Sequence, residues 1–223
     1  MKYVEIILRV LMVAGIVFAI WATLTNRKPR NTNNRVASAR VTLEEKLVRL
    51  KECGFELAAP FTVNDLLESW DRSEYEEPGW YTVIYALAMT EEQEPWRPHC
   101  ANLFLLDTEC VEDHGAYKAV AEEFVRISQG SLQLEDIEDY VDIEAGKTWL
   151  SFKYKNEEVR IDCKVSNDWL DRDIFSEFSA LLKKADPAKK FIIFSIDQSV
   201  MIGCVSEAQL VKLMALDAGF EEL

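Results

Sequence analysis

Residues 148–154 read TWLSFKY and residues 159–165 read VRIDCKV. In both runs apolar and polar residues alternate, which is the period of a strand buried on one face. The segment between them, 155–158 (KNEE), is polar and reads as a hairpin loop. A second pair of runs, 191–196 and 200–205, flanks Asp197-Gln198-Ser199 and predicts another hairpin. Strands that arrive mostly in hairpins, not strictly alternated with helices, point to an α+β fold. The expected core is an antiparallel sheet of about five or six strands with helices on one side.

Helical signals lie on either side of these runs. Thr42-Leu43-Glu44-Glu45 is a capping box, Leu43, Leu47 and Leu50 form an apolar stripe, and Gly54 ends the helix. Thr62-Val63-Asn64-Asp65 opens a short helix that buries Leu66, Leu67 and Trp70, before an acidic loop at 71–78. Residues 80–89 (WYTVIYALAM) are rich in β-formers and predict a strand buried on both faces, with helix as the alternative for 86–89. Pro95 and Pro98 keep 90–99 irregular. Residues 102–106 predict a second strand. Asp113 caps a helix over 114–128, and another helix covers 171–184. Ser206 to Gln209 is a further capping box that starts the last helix.

The N-terminal segment is of another kind. Residues 10–24 carry no charge, and 3–24 as a helix span about 33 Å, enough to cross a bilayer. Glu5 and Arg9 share a helix face near one end, and Tyr3 and Trp21 suit the two interfaces. A cleaved signal peptide is the rival reading, but Ile20-Trp21-Ala22 places a branched residue where cleavage wants a small one. The expected organisation is a transmembrane anchor at 1–25, a basic tether at 26–41 and one acidic domain at 42–223. Arg27, Lys28, Arg30, Arg35 and Arg40 follow the span, so the positive-inside rule puts the domain in the cytoplasm, on the inner face of the cell membrane. An exported or periplasm-facing domain is the alternative.

Charge is divided unevenly. Residues 1–41 hold seven bases and one acid, giving +6; the remainder holds 18 bases and 38 acids, giving −20. A domain this acidic repels nucleic acid and suits a basic protein partner. Five scattered cysteines do not read as a disulfide framework and fit reduced, buried thiols.

Catalytic and metal motifs are weak. His99, Cys100, Cys110 and His114 are zinc-type donors, but no Cys-x2-Cys pair supports them, and the adjacent His99 and Cys100 point oppositely on an extended chain. No metal is expected. Asp113-His114 resembles a base and its orienter, without a Gly-x-Ser-x-Gly elbow. Asp171 and Asp173 sit at a helix start, where the dipole explains them. No phosphate-binding glycine motif occurs, so no cofactor is expected. Nor is an enzyme expected.

Binding chemistry is better represented. Trp96 and Arg97 stand between two prolines in a loop that can present a hot spot, although Trp96 folding back over the sheet fits equally. Glu135, Asp136, Glu138, Asp139, Asp142 and Glu144 make an acidic cluster suited to a basic partner. With segments such as Glu68-Ser69-Trp70-Asp71 and Asn167-Asp168-Trp169, residues 42–223 resemble bacterial immunity proteins that neutralise polymorphic or contact-delivered toxins. The resemblance is one of general character: a small, acidic, Trp-containing α+β domain. No family motif is matched, so no site residue is carried over. It implies a membrane-anchored, non-catalytic antidote to a basic toxin. The alternative expectation is a structural or assembly subunit of an inner-membrane complex.

Overall fold

The computed structural model describes residues 40–91 and 94–223. The expected span at 3–24 and nearly all of the tether lie outside the described residues. Among the described residues no helix is long and apolar enough to cross a membrane. Residues 40–223 form one compact unit.

In chain order the elements are α1 (Leu43–Glu52), α2 (Val63–Ser69), α3 (Arg72–Tyr75), α4 (Tyr81–Ala88), β1 (Leu103–Asp107), α5 (Ala116–Ile127) and β2 (Glu135–Asp142). There follow β3 (Lys147–Tyr154), β4 (Glu157–Cys163), α6 (Asp173–Ala185), β5 (Lys189–Ile196), β6 (Ser199–Ser206), α7 (Glu207–Ala215) and β7 (Glu221–Glu222). The α+β class holds, and every strand pairing is antiparallel. The strands do not make one sheet, however. β1-β6-β5-β7 is a four-stranded sheet, and β2-β3-β4 is a separate meander.

Helices also cover both faces of the four-stranded sheet, not one. Along β5 and β6, Phe191, Ile193, Val200 and Ile202 join one core, while Ile192, Met201 and Val205 join the other. This is the alternation of a strand used on both sides. The second core is built from α1, α2, α4 and α7 through Leu43, Leu50, Leu66, Ile84, Leu87 and Leu213. The first is built from α5, α6 and the inner face of the meander, centred on Phe124. That ring lies 4.5 Å from Phe178, 4.9 Å from Phe191 and 5.8 Å from Phe104. The layers of this unit run helices, sheet, helices, meander, and among the described residues no helix lies on the outer face of the meander.

Residues 81–88 correct the strand expected at 80–89. They form α4, with Val83, Ile84, Ala86, Leu87 and Ala88 all buried. A helix buried nearly all round shows no amphipathic period, so the run looks like a buried strand. α1 and α7 begin with the expected capping boxes at Thr42 and Ser206. In α2 the Asp65 carboxylate accepts from Thr62 N and Oγ1, both at 2.6 Å. Lys46 is buried on α1, and its ammonium donates to the carbonyls of Tyr75, Glu77 and Gly79 at 2.6–2.7 Å. One cation thus ties the acidic 71–79 loop, including α3, to the first helix. Burial pushes the Lys46 pKa down, against the pull of Glu76 and Glu77.

Candidate functional site

Asp139 shows what the acidic cluster does locally. α5 starts at Gly115, whose φ of 99° needs a glycine. Asp113 does not cap this helix; its carboxylate accepts from the backbone N–H of His114 at 2.7 Å. The cap comes from β2 instead. Asp139 accepts from the N–H groups of Gly115, Tyr117 and Lys118 at 2.7, 2.9 and 3.1 Å. Three helix-terminal donors meet one carboxylate in the charge-favoured orientation. Asp139 therefore faces inward and is not part of a docking surface.

The other acids of the cluster remain outside. Glu138 and Asp142 share the outer face of β2, while Glu135 and Asp136 sit at an irregularity of β2 where Asp136 has a φ of 50°. Asp136 is paired with Lys153 at 2.6 Å. Asp142 accepts from Ala145 N and from the Tyr140 hydroxyl. Glu144 is exposed in the turn before β3.

The strand register completes the outer face. Tyr140 is opposite Trp149, which is opposite Asp162; Ser151 stands between Glu138 and Arg160; Asp142 faces Lys147. The rings of Tyr140 and Trp149 are nearly parallel, 11° apart at a centroid distance of 6.0 Å. Arg160 lies 4.4 Å over Trp149 and donates to Asp162 at 3.1 Å. Lys147 lies 5.5 Å from the Tyr140 ring. His114 also packs against that ring, at a centroid distance of 4.9 Å. Each cation–ring contact is worth about 0.5–1 kcal/mol at an exposed site. The result is a flat aromatic centre held by cations and rimmed by carboxylates. Residues 135–163 hold nine acids and four bases, and Asp139 is the acid that turns in to cap α5.

Trp96 and Arg97 are not near this face. Their loop is pinned beside α4 by Glu91 N to Arg97 O at 2.9 Å and His99 N to Met89 O at 2.9 Å, across the four-stranded sheet from the meander. Trp96 is 58% exposed. Arg97 is engaged, with its guanidinium on the Glu91 carboxylate at 3.0 Å and 5.4 Å over Phe61. The sequence cluster and the loop are two places, not one site.

The zinc-type residues also separate, and among the described residues no group of three or more His, Cys, Asp and Glu side chains is placed to hold a metal ion. His99 is buried, with Nδ1 2.8 Å from Ala86 O and Phe61 packed edge-on. Cys100 donates to Asn102 Oδ1. The His114 Nδ1 lies 3.1 Å from Asp113 and accepts from Val141 N at 3.3 Å. Neither partner is a nucleophile. All five cysteines are free, and burial raises each thiol: Cys100 and Cys110 to about 11, Cys163 and Cys204 to about 12. Such thiols are the opposite of the low-pKa nucleophile.

The sequence alone does not single out Trp149, Tyr140 and Arg160. The signal was present in TWLSFKY. Once Leu150 and Phe152 are assigned to the core, Trp149 falls on the polar face, an unusual place for it. The fold and this face define a two-sheet antiparallel α+β domain with a half-buried aromatic pair on the outer sheet surface. Comparison with protein-family models, curated proteins and solved structures finds no match.

Proposed function

We propose that residues 42–223 are a non-catalytic protein-binding domain, attached to the inner membrane through residues 3–24, whose docking surface is the outer face of β2, β3 and β4. The partner is a basic protein, and the role is that of an antidote to a basic toxin. The observation that carries this reading is the Tyr140–Trp149 pair, with carboxylates around it, on a sheet face that no other described element covers. Aromatic residues supply large contact area with little conformational entropy to lose, and a carboxylate rim steers and selects a basic surface.

The test compares the full chain with Trp149→Ala and with Glu138→Lys/Asp142→Lys in capture from the native host. A basic protein held by the wild type, lost by both variants and released steeply as salt rises is the expected result. A partner retained by both variants, or held equally at low and high salt, overturns the reading.

A further inference from the structure

Four strand edges bound the two sheets, and three are partly covered along their length. At β1, Arg126 donates to the carbonyls of Ala101 and Leu103 at 2.9 and 3.2 Å. At β5, the short β7 pairs with Ile192 and Ile193. At β2, Val141 N donates to His114, and the strand is irregular between Glu135 and Glu138. β4 is different. It pairs with β3 over its whole length, and among the described residues no strand lies on its other side. The turn at Lys155-Asn156, both with positive φ, is a two-residue hairpin turn. Tyr154 and Glu157 then form a hydrogen-bonded pair, so the N–H and C=O groups of Glu158, Arg160 and Asp162 point away from β3.

Charge along this edge alternates in sign: Glu158, Arg160, Asp162, Lys164. Charges of any pattern discourage indiscriminate edge pairing. This pattern is also self-complementary. Two copies of β4 placed antiparallel about Ile161 set Arg160 opposite Asp162, twice. Glu158 then faces Lys164 just past the strand end, where the Lys164 N–H already donates to Asp171 at 2.8 Å and its ammonium is paired with Asp173. The central Arg160–Asp162 pairs therefore carry the register. Arg160 and Asp162 are residues whose backbone groups are turned outward, so the register satisfies hydrogen bonding as well. A register centred on Arg160 would set Glu158 against Asp162 and Arg160 against its own copy, which repel.

We propose that the occupant of this edge is a second copy of the chain, giving a two-fold dimer with a continuous six-stranded sheet made from two meanders. The dimer sets two Tyr140–Trp149 pairs on one extended surface. It does not require the docking reading above, because it is read without any partner. A single pair of short strands is a small interface, so association falls in the micromolar range rather than tighter.

The test is sedimentation equilibrium of the purified full chain and three variants, with circular dichroism as the check on folding. Wild type is expected to dimerise with rising concentration. Arg160→Asp and Asp162→Arg are each expected to weaken the dimer by about tenfold or more, and Arg160→Asp/Asp162→Arg to restore it, since the swap re-creates both pairs. A monomer at every concentration overturns the proposal. So does a dimer that both single variants leave intact, which would place the interface elsewhere, or a double variant no better than the singles.

Discussion

Asp139 and Glu138 are neighbours with opposite duties. Asp139→Ala removes a carboxylate from three helix-terminal N–H groups, and the expected loss is about 1–2 kcal/mol in urea unfolding. Glu138→Ala, on the exposed face, is expected to stay within about 0.5 kcal/mol. Equal effects would mean that α5 is held by packing alone. The cysteines give a second check. With thiols raised by burial, Cys100, Cys163 and Cys204 are expected to resist alkylation near pH 8 in the folded chain and to react on unfolding. Fast labelling of any of the three in the native state would contradict the packing described for it. Asp139 also marks where reading a sequence stops. Its partners begin 24 residues upstream, and nothing local separates a capping acid from the solvated acids beside it.

Elements built from nearby residues were legible, and those defined by distant partners were not. The capping boxes at Thr42 and Ser206 act within one turn, and the β3–β4 hairpin is specified by alternation and the β5–β6 hairpin by two apolar runs, each pair around a short turn. β2 looks in sequence like an acid cluster, since its inward side carries Asp139 and its alternation is broken near Asp136. α4 was hidden because burial on all sides erases its period. One close contact between elements is testable. A Cβ at Gly203 on β6 would sit 2.9 Å from Phe55 Cζ, and Phe55 is fully buried after α1. Gly203→Ala is therefore expected to cost about 1–3 kcal/mol in chemical denaturation, partly relieved by Phe55→Leu. A neutral Gly203→Ala would show that the ring has room to retreat.

At the scale of the whole molecule, the division into two sheets was not foreseeable from strand signals, because partner choice between hairpins depends on the layers of helix between them. The two cores nevertheless share a wall. Met201 belongs to one and Ile202 to the other, one residue apart on β6. Met201→Ala is expected to cost about 2–5 kcal/mol and Ile202→Val about 0.5–1.5 kcal/mol. Each should shift helix signal and tryptophan fluorescence together, in one transition. Two separated transitions would mean that the cores melt independently.

That shared wall also restricts how the gene can change length. Adding or deleting one codon within 199–206 would exchange the side chains offered to the two interiors, spoiling both at once. A codon added at Lys155-Asn156 alters only a loop tip. Insertions are thus expected to collect at the outer rim and to be purged from the central ribbon.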